Sequence, residues 1–126
     1  SGSIRDELRQ IEPRLDTQTL LEARRAVQEE VYLSEKVTDY IYALVAASRE
    51  DPLVLAGIST RGGIGLATAA RAAAYLEGRD HVLPEDVQAV AVPVGAHRLI
   101  LRPEQEGVRK EEVLRAIVDR VPVPLA

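Results

Sequence analysis

The stretch that decides the fold is STRGGIGLATAARAAAYLEGRDHVLPEDV, residues 59–87. From Ser59 to Glu77 it is rich in alanine, the residue with the best helix propensity, and after the glycines it carries apolar residues on nearly every side, which is typical of a buried helix. Ser59 is a suitable N-cap, and Gly78 suits the left-handed position that ends many helices. Pro84 and the two carboxylates after it favour the start of another helix. The stretch therefore predicts two consecutive helices joined by a short turn.

Two amphipathic helices are predicted before this stretch, over residues 19–30 and from Ser34 to about residues 49–51. In both, apolar residues recur at steps of three and four, and Asp16 and Ser34 are suitable N-caps. The apolar run 53–56 is either a buried extended connector or a single strand, since its length does not decide between them.

After the stretch, the helix that begins at Pro84 is expected to end near Val92, because Pro93 lacks the N–H that a helix interior needs. A last amphipathic helix is predicted over residues 110–120. The predicted fold class is therefore all-α, a small bundle of about five helices with at most one short extended segment.

Composition limits the classes of protein that the chain can represent. Its 126 residues are 46% apolar and 29% charged, which is typical of one folded domain. The absence of cysteine excludes disulfides, thiolate catalysis and cysteine-ligated zinc. A net charge of −4 argues against a nucleic-acid partner, and no apolar run approaches the length of a transmembrane segment. We expect a cytoplasmic protein.

Three parts are expected along the chain. Residues 1–3, Ser-Gly-Ser, are interpreted as a small remnant of an expression tag. Residues 4–15 mix charged and apolar positions around Pro13 and are interpreted as a linker, and residues 16–126 form the helical domain.

The glycine-rich segment does not match a known phosphate-binding loop. Gly57 and Gly62 have the spacing of a P-loop, but Gly63 and Ile64 stand where the lysine and the hydroxyl residue belong. The segment also fails the dinucleotide-binding fingerprint, because no β-α-β unit surrounds it.

Arg61 is the candidate binding residue that this segment offers. In the first turn of a helix capped by Ser59, it would lie beside unpaired N–H groups, where a guanidinium can bind phosphate oxygens. The alternative is an arginine that is solvated or paired with a carboxylate. Gly62 and Gly63 disfavour a helix, which indicates either a close approach at this point or a frayed helix start.

Other candidate sites have simpler explanations. His81 and His97 are the only histidines, and each could be a metal ligand or a hydrogen-bonded structural residue. Glu85 and Asp86 could act as an acid and a base, but their place in a first helical turn is explained by the helix dipole.

The order of these segments resembles the C-terminal helical lid of MoxR-type AAA+ ATPases. The resemblance rests on residues 57–61, 70–87 and 94–99 taken together, and it covers about residues 16–124. It implies that Arg61 is the second-sensor arginine that reaches the nucleotide's phosphates, with Ser59 and Gly62 beside it. Thr60 and Gly62 depart from the proline and alanine usual there, and Leu83 replaces a usual hydroxyl cap.

The resemblance also implies cofactors and partners. ATP and Mg²⁺ would be bound by a core domain outside this chain, with no cofactor tightly bound to the chain itself and no hydrolysis by the chain alone. The implied partners are that AAA+ core, neighbouring subunits of a ring and an unidentified client protein that is remodelled or matured. The alternative is a stand-alone helical interaction module, similar to a histone fold around residues 82–90.

Overall fold

The computed structural model describes residues 16–125; the predicted tag remnant and linker lie outside the described residues. Five helices make up most of this part, which confirms the predicted class. The elements in chain order are α1 (Thr17–Glu30), α2 (Glu35–Glu50), β1 (Val54–Ala56), α3 (Thr60–Leu76), α4 (Pro84–Gly95), β2 (Ile100–Leu101) and α5 (Lys110–Arg120). Single 3₁₀ turns lie at Ala96–Arg98 and Pro103–Gln105.

Side-chain caps fix the starts of the first three helices. Asp16 accepts a hydrogen bond from the Thr19 N–H at 2.7 Å, and Ser34 accepts one from the Val37 N–H at 3.2 Å. Ser59 accepts one from the Gly62 N–H at 3.1 Å. These bonds satisfy N–H groups that have no partner within a helix, so the predicted caps are confirmed, and α1 begins at Thr17, two residues before its predicted start.

The turn after α3 also follows the prediction. Gly78 has a φ of 77°, a left-handed conformation in which glycine has no steric penalty. The N–H groups of Gly78 and Arg79 donate to the carbonyls of Tyr75 and Ala74, so the last turn of the helix is satisfied.

The predicted end of α4 at Val92 is wrong, because the helix continues through Pro93 to Gly95. A proline removes one backbone hydrogen bond and disfavours the helical conformation just before it. Here Val87, Ala91 and Gly95, on the buried side of α4, lie in the core. We attribute the continuous helix to this packing, which local sequence preferences do not include.

α3 is fully buried along one stripe and half-buried over the rest of residues 65–75, so the prediction of a helix buried on nearly every side is met only in part. Its buried residues are Gly62, Leu66, Ala70 and Ala74, which form a single stripe at four-residue spacing. Ile64 is 64% exposed. The alanines that look apolar in the sequence are small enough to be partly exposed at low cost, so an alanine-rich pattern overstates burial.

The apolar run 53–56 contains a strand that pairs with a second one. β1 and β2 form an antiparallel two-stranded sheet in which Val54 lies opposite Leu101 and Ala56 opposite Ile100. A second extended segment therefore exists beyond the one that the prediction allowed. β2 is only two residues long, and such a strand has no periodicity to detect.

The core is aliphatic and contains the segment just before α3. The largest fully buried apolar side chains are Leu44, Ile58, Leu66, Val87, Leu99, Leu114 and Ile117. Gly95 lets two of them approach, since a Cβ there would lie 3.1 Å from Leu114 Cδ2 and 3.3 Å from Ile58 Cδ1. Within residues 16–125, no helix is long and apolar enough to cross a membrane.

Candidate functional site

The backbone that leads into α3 is held by the last turn of α2. Ser48 Oγ accepts a hydrogen bond from the Ile58 N–H at 2.9 Å and donates one to the Val45 carbonyl at 2.7 Å. Arg49 Nε donates to the Ile58 carbonyl at 2.9 Å. Both backbone groups of a fully buried residue are thus bound by side chains of another helix, which fixes the start of α3.

Gly57 makes this contact between backbones possible. A Cβ at Gly57 would lie 2.6 Å from the Arg49 nitrogen and 2.7 Å from the Ser48 carbonyl carbon. Any side chain here would push the segment away from α2, because backbone atoms cannot move aside as a side chain can. Glycine therefore sets the position from which α3 begins.

Arg61 lies in the first turn of α3 and is exposed. The first turn contains no acidic residue, and within residues 16–125 Arg61 forms no hydrogen bond or ion pair. The carboxylate-paired alternative is therefore not observed in this part of the chain. A free guanidinium beside the positive end of a helix dipole can attract an anion.

Glycine at position 62 is explained by the close approach of neighbouring side chains, and the start of α3 is not frayed. A Cβ at Gly62 would lie 2.7 Å from Ile58 Cγ2 and 3.0 Å from Arg98 Cδ. A Cβ at Gly63 would lie 3.2 Å from Val45 Cγ2. The turn itself is formed, since the Gly63 N–H donates to the Ser59 carbonyl at 2.9 Å.

Arg98 is the residue near this site that the sequence analysis missed. Its side chain lies across α3, with Nε 3.7 Å from the Cβ position of Gly62 and Nη2 3.7 Å from that of Gly65. Arg98 is exposed and forms no hydrogen bond or ion pair within residues 16–125. The glycines at positions 62 and 63 were a signal of close approach, but the sequence does not show what approaches them.

An apolar groove borders the same end of α3. It has a volume of about 290 Å³ and lies between α2 and α3. Tyr42 and Ile64 line it and are 70% and 64% exposed. The other apolar lining residues are Leu33, Ile41, Val45 and Ala67. Exposed apolar surface of this kind is typical of a contact with another protein or domain.

His81 and the paired acidic residues lie elsewhere, whereas His97 is the exposed neighbour of Arg98 in the 3₁₀ turn Ala96–Arg98. His81 Nδ1 is 2.9 Å from the Asp80 carboxylate, and no group of three metal-ligating side chains occurs in the described part of the chain. Asp86 accepts two hydrogen bonds from Arg79 and one from the Leu83 N–H. Burial acts to raise the Asp86 pKa, but these hydrogen bonds outweigh it and hold that pKa below its usual value. Asp86 thus supports the helix start that Leu83 cannot cap.

A family model described as an AAA lid domain matches residues 46–117. That range is more than half of the chain and includes the whole of α3 and α4. The chain belongs to the AAA lid domain family. The predicted recognition is confirmed, and the candidate arginines lie within the matched region of this AAA lid domain.

Curated relatives place the AAA lid domain with MoxR-type proteins. Protein MoxR of Paracoccus denitrificans is 49% identical over 78 residues, which are 59% of this chain and 23% of that protein. The Bacillus subtilis protein YeaC is 37% identical over 91% of this chain and 36% of its own length. Chaperone MoxR1 of Mycobacterium tuberculosis is 30% identical over 74% of this chain and 28% of its own length.

A crystal structure shows the same fold in a longer protein. The structure of "a putative ATPase" from Cytophaga hutchinsonii matches with a TM-score of 0.71 and 30% identity, over 88% of this chain and 44% of that chain. The chain therefore spans less than half the length of the Cytophaga hutchinsonii protein and of the curated relatives above.

Proposed function

We propose that this AAA lid domain contacts the phosphates of a nucleotide through Arg61, while an AAA+ core domain binds the rest of the nucleotide. The observation that carries the proposal is the exposed guanidinium of Arg61, unpaired within residues 16–125, in a helical turn whose position is fixed by α2. Ser59 and Gly62 contribute the capped start beside it. A guanidinium binds phosphate oxygens through two parallel hydrogen bonds.

The chain's own residues fit the phosphates of ATP but not the magnesium ion. Arg61 offers positive charge, whereas the first turn of α3 contains no carboxylate that could bind a cation. Mg²⁺ and the catalytic groups would therefore be held by the core domain, and the sequence contains no P-loop. We infer that the chain by itself does not hydrolyse ATP and binds no cofactor tightly.

The role of Arg61 would be positional and electrostatic. Phosphoryl transfer is accelerated mainly by orientation and by stabilisation of charge on the transferred group. A contact that forms with ATP and weakens with ADP would bias the angle between the lid and the core. That bias is how nucleotide turnover would drive the remodelling or maturation of a client protein, and the name of the mycobacterial relative, a chaperone, supports this direction.

The apolar groove supports a partner on the same side of the domain. Thr60, Gly63 and Ile64 of α3 line the groove, and Arg61 lies within the same turn. We infer that the core domain or a neighbouring subunit of a ring covers this surface when the phosphates are contacted. Burial of Tyr42 and Ile64 would then supply hydrophobic stabilisation to the contact.

The test is Arg61→Ala in a full-length protein that carries this domain, with Arg115→Ala as the matched control. Arg115 is an exposed arginine on α5, a different helix from the one that carries Arg61. We expect the rate of ATP hydrolysis by the Arg61 variant to fall by about tenfold or more, because the negative charge in the transition state loses a hydrogen-bond donor. Hydrolysis that stays at the level of the Arg115 variant would refute the assignment and favour an interaction module without nucleotide chemistry.

A further inference from the structure

Arg98 is held at a fixed point beside α3 by its buried neighbours. Ala96 is 4% exposed, Leu99 is fully buried, and the Leu99 N–H donates to the Ala96 carbonyl at 3.1 Å. Because the residues on both sides are anchored in the core, the Arg98 backbone has little freedom. Its side chain is thus directed by the fold and does not extend at random into solvent.

The side chain of Arg98 reaches the face of α3 that carries Arg61. Its Cδ lies 3.0 Å from the Cβ position of Gly62, and its Nη2 lies 3.7 Å from that of Gly65. Gly65 and Arg61 are four residues apart and therefore share one helical face. The two guanidinium groups consequently approach the same side of the first two turns.

Gly62 makes room for this arrangement at a cost, since a Cβ there would lie 3.0 Å from Arg98 Cδ. Glycine in a helix interior is less favourable than alanine. At Gly65 a Cβ would meet Arg98 Nη2 at an ordinary contact distance, so the position of Arg98 does not require glycine there. Within residues 16–125 neither Arg61 nor Arg98 has a carboxylate partner, so two positive charges lie on one face without compensation. A multiply charged anion would neutralise both.

We propose that Arg98 is a second phosphate-contacting residue, which together with Arg61 forms one site for the polyphosphate chain of a nucleotide. This inference rests on the proposed function and adds to it a second residue and a ligand class. Two guanidinium groups along one face suit an anion with several linked phosphates better than a single phosphate. Arg61 and Arg98 then act on different phosphate oxygens of the same ligand.

A purely structural role is the competing explanation for Arg98. Its aliphatic stem covers Gly62, so removal of the whole side chain would disturb packing as well as charge. Arg98→Gln removes the charge and keeps part of the stem, and Arg98→Lys keeps the charge. The pair separates the two roles, provided that the ¹⁵N spectrum of each variant shows the native fold.

The experiment is a titration of the ¹⁵N-labelled 126-residue chain with sodium tripolyphosphate at low salt, followed by NMR. We expect the Nε–Hε signals of Arg61 and Arg98 and the Gly62 and Gly63 amides to shift along one saturating curve. Arg98→Gln and Arg61→Gln should each weaken binding about fivefold relative to Arg115→Gln, because each removes a charge-assisted contact. Arg98→Lys should retain most of the affinity, and orthophosphate should bind more weakly than tripolyphosphate.

The outcomes separate this inference from the function on which it rests. If Arg61→Gln weakens binding but Arg98→Gln matches the Arg115→Gln control, the second contact is refuted and the proposed role of Arg61 stands. If neither variant differs from the control, or if tripolyphosphate causes no saturating shift, the phosphate site as a whole is refuted. Equal loss in Arg98→Gln and Arg98→Lys would show that a positive charge at this position does not restore binding, which also overturns the proposal.

Discussion

The guanidinium of Arg79 donates two hydrogen bonds of 2.6 Å each to the carboxylate of Asp86. The same carboxylate accepts a third, of 2.7 Å, from the Leu83 N–H at the start of α4. The Asp86 side chain is only 7% exposed. This pair therefore joins the turn after α3 to the first turn of α4.

The first prediction concerns the removal of the negative charge of Asp86. Asp86→Asn should lower the free energy of unfolding by about 3 kcal/mol, because Arg79 loses its partner in a partly buried position. The measurement is urea unfolding followed by circular dichroism, with Glu85→Gln as the exposed control on the adjacent residue. Equal stability of the Asp86→Asn and Glu85→Gln variants would show that the junction between α3 and α4 does not depend on the Arg79–Asp86 pair.

The second prediction is the pH dependence of stability that Asp86 confers. Burial acts to raise the Asp86 pKa, but the hydrogen bonds from Arg79 and Leu83 lower it by more, so the pKa in the folded chain lies below the unfolded value of about 3.9. A carboxyl group with a lowered pKa contributes its full stability above the unfolded pKa and loses it as pH falls through the folded pKa.

We therefore expect the free energy of unfolding to fall as pH decreases below about 4. Urea unfolding at a series of pH values between neutral and pH 2 measures this slope. Asp86→Asn should flatten the slope over the acid range. A slope that is unchanged in this variant would assign the acid sensitivity to other carboxylates.

The third prediction tests the contact that fixes the start of α3. Ser48→Ala leaves the Ile58 N–H without a partner in a fully buried position, which should cost about 1–3 kcal/mol. Thr68→Ala is the control, because its hydroxyl bonds only to the Ile64 carbonyl of its own exposed helical turn, and it should change stability by less than about 0.5 kcal/mol. Thermal unfolding compares the two, and equal midpoints would contradict the role given to Ser48.

The fourth prediction compares two glycines of α3. Gly62→Ala should destabilise the fold by about 1–3 kcal/mol, because its Cβ would lie 2.7 Å from Cγ2 of the fully buried and stiff Ile58. Gly65→Ala should stabilise it by about 0.5–1 kcal/mol, since its Cβ meets only Arg98 Nη2 at an ordinary 3.7 Å. The measurement is urea unfolding, and the same sign for both substitutions would contradict the packing at Gly62.

Prediction from the sequence worked where the signal was local. The caps Asp16, Ser34 and Ser59 and the left-handed Gly78 depend on residues within one or two turns, and the structure places each as expected. The AAA lid domain was identified from the order of such segments. The role of Arg61 was implied by that resemblance and stays a prediction, to which the structure adds the absence of a partner within residues 16–125.

Prediction failed where distant parts of the chain meet. The continuation of α4 through Pro93 depends on packing against the rest of the core, and β2 exists because it pairs with β1. Neither has a signal in its own residues. The incomplete burial of α3 is a miss of the same kind, because a pattern of alanines does not show which side the other helices cover most closely.

The sequence by itself determined the helices, their caps and the family of this protein, because helix formation and capping are decided by neighbouring residues. Only the tertiary structure decided that Arg98 lies over Gly62 and Gly65 of α3, and that Ser48 and Arg49 fix the segment before α3. The physical reason is that such contacts join residues far apart in the chain. Their geometry follows from the packing of the whole core, which no single segment encodes.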